Sequence, residues 1–269
     1  MRSRPAEAPG VSFAVTDDAV LGGRLKLVQP ARGHRAGHDA ILLAAAAPKA
    51  AHAVDLGAGI GTAGLALLVR GAARRVTLVE IDKDLAALAR ANSVRNGFVG
   101  QTAIVIADVA SLARRGGPHL PKAASADLVL ANPPFNDPAR RKTSPDAARK
   151  RAYMAKDSDL ETWARAADRL LKPGGTFVLI HRPEAMATIL AALAGRFGAA
   201  ELVPIHPRPG EPAIRLLVRA KKGRRTPPMI QPGFVLADAE GRPSLEAEAV
   251  LRGVAALNPR LSADPLHSM

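Results

Sequence analysis

No cysteine occurs among the 269 residues. That excludes disulfides, thiolate catalysis and zinc sites built on sulfur, and it fits a reducing compartment. Long apolar runs are missing too. The longest, Ala40 to Ala47, is Ala-rich and stops at Pro48, well short of the roughly 18 residues a membrane span requires. The first ten residues are polar and Pro-rich with no apolar segment behind them, so no secretory signal is expected. These absences lead to the expectation of a soluble, cytoplasmic protein with no membrane partner. Acidic residues are also in short supply, 24 against 38 Lys and Arg, for a formal net charge of +14. Such an excess favours a polyanionic partner, nucleic acid above all, although a composition rich in Ala, Arg, Gly and Pro accounts for part of it. No His pair is spaced with carboxylates as metal ligands would be, and no metal is expected.

What is present supports a sizeable core, since 48% of the residues are hydrophobic. One structural domain is expected, in three stretches: an N-terminal segment 1–50, a core 51–222 and a C-terminal segment 223–269 docked on it. Residues 11 to 30 read as a β-hairpin. Val11 to Val15 forms its first strand, Gly22-Gly23 the turn, and Arg24 to Val28 a strictly alternating second strand. A helix with Asp39 near its start follows.

From residue 51 strands alternate with helices. Strands are expected at 51–56, 75–80, 103–107, 127–131, 176–180, 201–205 and 213–219. Helices are expected at 62–70, 84–96, 158–171 and 184–196. That alternation predicts an α/β fold, a mostly parallel seven-stranded sheet with helices on both faces. The last two strands are joined by the short link Pro207-Arg208-Pro209-Gly210. An antiparallel pair is expected there, because a parallel one needs a crossover. A short strand, Gly233 to Leu236, and a helix, Ser244 to Leu257, are expected in the C-terminal segment.

The most telling residues are Asn132-Pro133-Pro134-Phe135, after the apolar strand 126–131. The Asn side chain aims an amide oxygen above the sheet. The two prolines fix φ and remove two N–H donors, leaving rigid carbonyls to accept. Phe135 offers a flat face. Two acceptors beside an aromatic plane suit a planar group carrying an NH2, such as adenine. Upstream, Asp55-Leu56-Gly57-Ala58-Gly59-Ile60-Gly61 forms the first strand-to-helix junction, where glycines let the backbone approach a ligand. Glu80 closes the next strand, 19 residues after Gly61, where a carboxylate accepts from ribose hydroxyls. Asp108 closes the third, where one accepts from an adenine amino group.

Asp55-x-Gly57-x-Gly59-x-Gly61 resembles the first motif of the S-adenosylmethionine-dependent methyltransferases, rather than the dinucleotide pattern Gly-x-Gly-x-x-Gly. That resemblance implies a Rossmann-like class I methyltransferase with S-adenosylmethionine held by Asp55, Gly57, Gly59, Gly61, Glu80, Asp108 and Asn132. Asn132 to Phe135 resembles the Asn/Asp-Pro-Pro-aromatic motif of enzymes that methylate exocyclic or amide nitrogens. By that resemblance Asn132 and Pro133 accept the amino hydrogens and Phe135 stacks on the substrate. Asp18-x-x-Leu21-Gly22-Gly23-Arg24, Gln29-Pro30 and Gly33-x-Arg35-Ala36-Gly37-x-Asp39-Ala40 resemble the bacterial valine-tRNA adenine-37 N6-methyltransferases, as does Arg208-Pro209-Gly210-Glu211-Pro212-Ala213. The resemblance covers most of the chain. It implies that 29–37, including Gly37, caps the methionine end of the cofactor, and that the substrate is an adenine of tRNA near the anticodon.

Arg140, Arg141, Lys142, Arg149, Lys150 and Arg151, with Lys156, follow the reactive motif closely and are the expected contacts to RNA phosphates. A second cluster is Arg219, Lys221, Lys222, Arg224 and Arg225. Tyr153 reads equally as a stacking or a core residue, and Trp163 as core. Two other readings share the fold: a glutamine-amide methyltransferase acting on a translation release factor, and a non-catalytic RNA-binding module. A monomer and a homodimer are both compatible with the sequence.

Overall fold

The computed structural model describes residues 11–32, 37–114, 117–134 and 160–257. The hairpin is β1 (Val15–Val20) and β2 (Leu25–Pro30), antiparallel, with Val20 opposite Leu25. Its first strand lies nearer the turn than the weak alternation of 11–15 suggests. The turn at Leu21, Gly22 and Gly23, all at positive φ, is tight, so the partner of β2 has to be the six residues just before it.

The core then runs α1 (His38–Ala45), β3 (Ala50–Leu56), α2 (Thr62–Val69), β4 (Ala73–Glu80), α3 (Lys83–Arg95), β5 (Thr102–Ile106), α4 (Val109–Arg114) and β6 (Ala126–Ala131). It continues through α5 (Leu160–Leu170), β7 (Leu171–His181), α6 (Met186–Leu193), β8 (Phe197–His206) and β9 (Arg215–Lys222). Two short strands, β10 (Met229–Ile230) and β11 (Phe234–Val235), and helix α7 (Leu245–Leu251) follow.

All seven expected core strands are present, in the order β8-β9-β7-β6-β3-β4-β5, and β10 and β11 add to β8 to give nine. β9 is antiparallel to both neighbours, as its short link requires, and the other pairs of the sheet are parallel. Lys172-Pro173-Gly174-Gly175, which has the composition of a turn, is absorbed as an irregularity inside β7, where the pairing jumps from Ala126/Leu171 to Leu128/Thr176. Helix α4 was not legible from periodicity, being only six residues long. The helix expected at 184–196 is shorter, beginning at Met186 after a 3-10 turn at Pro183–Ala185. The terminal helix stops at Leu251, its first turn capped by the Ser244 hydroxyl, which accepts from the Ala247 N–H at 3.0 Å.

Apolar side chains fill both faces of the sheet. Along β6, Leu128 and Leu130 join one cluster with Leu65, Leu67 and Leu88, whereas Val129 and Ala131 join the other with Leu112, Trp163 and Leu170. Each fully buried leucine contributes roughly 1.5–3 kcal/mol. Two arginines tie the chain's outer segments to α2. Arg24 donates to Val69 O at 2.8 Å and Gly253 O at 3.2 Å, and Arg70 donates to Val250 O and Ala255 O. The Leu257 N–H reaches Ala45 O at 2.9 Å. Among the described residues no helix is long and apolar enough to cross a membrane.

Candidate active site

The sheet order turns at β3: β4 lies on one side and β6 on the other. Ligands of open α/β sheets bind at such a switch point, beyond the C-terminal ends of the strands. A cavity of about 140 Å³ opens there, lined by Gly37, Asp39, Asp55, Gly59, Asn132 and Pro133 among others.

The three glycines of the loop after β3 all have positive φ, 61°, 56° and 87°, but each is required for a different reason. A Cβ on Gly57 would sit 2.6 Å from Cη2 of Trp163, and one on Gly61 would sit 3.0 Å from Leu78. Those two let the loop pack against α5 and against β4. A Cβ on Gly59 meets nothing within 4 Å, so this glycine faces open space where a ligand's atoms would lie against bare backbone.

The acidic residues at the strand ends hold this loop. Asp55 is 3% exposed, and its Oδ2 accepts from the Gly64 N–H at 2.8 Å, inside the first turn of α2. Burial pushes its carboxyl up to about 7. The bond from Gly64 works against that shift, and the nearby Glu80 charge adds to it. A cation placed in the cavity would relieve this cost. Glu80 accepts from the Gly59 N–H at 2.7 Å with Oε2, and from the Ile81 and Asp82 N–H groups with Oε1. Asp108 Oδ1 accepts from the Ala110 N–H at 2.8 Å and so caps α4. Glu80 and Asp108 stand outside the lining of the cavity itself.

Register places Asn132. Leu56 of β3 pairs with Ala131 of β6 and with Val79 of β4, while Glu80 pairs with Ile106. The next residue along each strand therefore forms a row, Ile106, Glu80, Gly57 and Asn132, at successive spacings of about 4.8 Å. The Asn132 side chain is partly buried, lines the cavity and makes no hydrogen bond among the described residues. Pro133 is buried beside it. Phe135, Arg35, Arg140, Arg141, Lys142, Arg149, Lys150, Arg151, Tyr153 and Lys156 lie outside the described residues.

Two site residues were not picked out by motif. Gly64 sits where a Cβ would be 2.3 Å from Leu78; its signal in sequence is a glycine inside an apolar helical run. Asn92 is completely buried in α3. Its Oδ1 accepts from the Val28 N–H at 2.7 Å, and its Nδ2 donates to Val28 O and to Ile60 O, each at 3.0 Å. One turn on, Asn96 pairs with the N–H and carbonyl of Lys26 at 3.0 and 2.7 Å. The two amides thus satisfy the outer edge of β2 as a neighbouring strand would, and Asn92 also ties that edge to the glycine loop. The amides share a helix face with Leu85 and Ala89, and that polar interruption was their only trace in the sequence.

The second basic cluster is largely engaged within the fold. Arg219 forks onto Glu201, Lys222 reaches Asp168 at 3.5 Å, and Lys221 donates to Thr176 Oγ1 at 2.8 Å. Arg224 and Arg225 are exposed. Trp163 is a core residue, 3% exposed, as its helical spacing suggested. Among the described residues no group of three His, Asp or Glu is placed to hold a metal.

The family model described as the methyltransferase small domain matches residues 36–206, a stretch that contains the whole cavity. The chain is 31% identical over 192 residues to a tRNA1(Val) (adenine(37)-N6)-methyltransferase of Porphyromonas gingivalis strain W83, covering 68% of this chain and 72% of that one. It is 32% identical over 150 residues to a 4-amino-L-phenylalanine/4-methylamino-L-phenylalanine methyltransferase of Streptomyces pristinaespiralis, covering 51% and 46%. Among solved structures, a predicted O-methyltransferase, Atu636 of Agrobacterium tumefaciens, superposes with a TM-score of 0.67 at 31% identity, covering 81% of this chain and 97% of that one. The sheet with its switch-point cavity, the loop of positive-φ glycines and these matches make the chain a member of the methyltransferase small domain family, an S-adenosylmethionine-dependent methyltransferase.

Proposed function

We propose that this protein methylates the exocyclic N6 of an adenine in RNA, in a tRNA near the anticodon. The observation that carries the reading is the position of Asn132-Pro133-Pro134, one strand over from Gly57 and on the wall of the cavity. S-adenosylmethionine supplies an electrophilic methyl on a sulfonium centre. The residues of this chain fit it: Gly59 leaves room for it, and buried Asp55 gains from a cationic amino group. Glu80 offers its remaining acceptor capacity to the ribose. Oε1 already takes two N–H groups and Oε2 one, so a second ribose bond requires the Gly59 contact to loosen. Asp108 serves the adenine ring and Gly37 the methionine end.

On the acceptor side, the N6 lone pair is delocalised into the ring. Asn132 Oδ1 and Pro133 O accept the two amino hydrogens and favour the pyramidal nitrogen of the transition state over the planar ground state. A hydroxyl has one hydrogen and would use only one of these acceptors, which makes O-methylation the poorer fit. The name of the Porphyromonas relative supports adenine N6, and that of the Streptomyces relative supports a conjugated aromatic amine as acceptor. Phe135 stacks on the base, while Arg140, Arg141, Lys142, Arg149, Lys150 and Arg151 hold phosphates.

Total RNA from a strain lacking the gene, incubated with labelled cofactor and the protein, should yield labelled N6-methyladenosine in one tRNA. Label found only in protein would sink the proposal. Asn132→Ala should abolish turnover while the cofactor still binds.

A further inference from the structure

A larger cavity, about 460 Å³, opens at the other end of the sheet, a volume within the range of small-ligand sites. Its floor is the N-terminal half of β3, β4 and β5. His52 of β3 lies five residues before Gly57, about 16 Å along the strand, so this cavity and the cofactor cavity are separate. Side chains at His52, Val54 and Leu56 share one face of the sheet, as do those at Arg75, Thr77 and Val79. Val54, Leu56 and Val79 pack with Val109 and Leu112 of α4. Helix α4 is short, and the positions below it are polar instead of apolar. A loop containing His119 and Lys122 closes the outer side.

The charges of this lining are one-sided. No Asp or Glu lines it among the described residues. Arg75 and Lys122 are exposed, and neither they nor His119 makes an ion pair among the described residues. Several cations elsewhere in the fold do pair with carboxylates, among them Arg196 with Glu161, Arg215 with Asp39 and Arg219 with Glu201. Asp127, which accepts from the His52 N–H, is already bound by Lys172. The floor is built rather than loose. His52 is 8% exposed, its Nδ1 lies 3.1 Å from Ser125 O and its Nε2 2.9 Å from Thr77 Oγ1. Since a carbonyl only accepts, Nδ1 carries the proton.

We propose that this cavity is a second ligand site, for a phosphate-bearing anion held between Arg75, Lys122 and His119 above the His52–Thr77 floor. Unpaired cations around an acid-free concavity repel one another, and an anion among them removes that repulsion while gaining charge-assisted hydrogen bonds. The site stands apart from the methyl-transfer reading, because it uses none of the residues of that centre.

The test titrates histidine-labelled full-length protein with inorganic pyrophosphate and follows the His52 and His119 ring resonances by NMR, with cofactor affinity measured in parallel by calorimetry. Saturable shifts in both rings are expected in the millimolar range or tighter. The R75A/K122A double variant should weaken binding by at least about tenfold with cofactor affinity unchanged, which also shows that it is folded. A short RNA stem that competes for the same resonances identifies the phosphate as RNA backbone; pyrophosphate binding that RNA does not displace identifies a free small anion. Shifts that do not saturate, or that persist undiminished in the double variant, overturn the proposal.

Discussion

Replacing Asn92 by Leu keeps the side chain's approximate size and removes three hydrogen bonds at a completely buried position. Each such bond contributes about 0.5–1.5 kcal/mol net, and a buried backbone group left unpaired costs about 1–3 kcal/mol. Val28 N–H, Val28 O and Ile60 O would all lose this partner, so a loss of roughly 3–5 kcal/mol is expected, allowing for partial relaxation. For a chain of this size that lowers Tm by about 6–15 °C. Asn96→Leu is the control. It removes equivalent bonds to Lys26 near the surface, where water replaces them, and should cost about 1 kcal/mol or less. Because Asn92 also holds Ile60, cofactor affinity should fall in Asn92→Leu and hold in Asn96→Leu. Thermal denaturation and calorimetric titration with S-adenosylhomocysteine read both effects. Equal destabilisation by the two variants, or an unchanged cofactor affinity in Asn92→Leu, would refute the reasoning that one buried amide joins hairpin to cofactor loop.

Gly57→Ala combines a positive φ with a Cβ 2.6 Å from Trp163, and should cost about 2–4 kcal/mol in denaturant unfolding. Gly59→Ala has open space around its Cβ; it should cost only about 1–2 kcal/mol yet weaken cofactor binding, and normal affinity would remove Gly59 from the site. Asp55 is held near 7 against an ordinary 3.8, so the folded state keeps a proton the unfolded chain has released. Its contribution to stability should therefore fall by ~4 kcal/mol as pH rises from about 4 to 7 and then level off. Asp55→Asn should flatten that slope in pH-dependent unfolding. In the wild type a cationic cofactor favours the ionised carboxyl, so affinity should weaken up to about tenfold per pH unit below 7. Arg70→Met removes the bonds to Val250 O and Ala255 O and should cost about 2 kcal/mol, with faster proteolysis of the C-terminal segment.

Periodicity, glycine spacing and strand-end acids are local properties, and they were legible. Strands β3 to β9 lie close to their expected positions, because a run such as Ala126 to Ala131 is apolar whatever it pairs with. Asp55, Gly57, Gly59, Gly61, Glu80 and Asp108 fall at strand ends because each is tied in sequence to its own strand. Boundaries slipped where another contact decides them: the first hairpin strand follows the turn, and the terminal helix stops short of Leu257, whose N–H turns to Ala45 O.

The sequence by itself determined the kind of fold, the glycine loop and the Asn132-Pro133-Pro134 stretch that ends its strand, because each depends on residues close together in the chain. Tertiary structure alone decided that Asn132 stands beside Gly57, that Asn92 bridges hairpin and loop, that Arg219 and Lys222 belong to the fold's own ion pairs, and that Arg75 and Lys122 share a second cavity. These depend on strand order and register, and neither is encoded in the periodicity of any one segment.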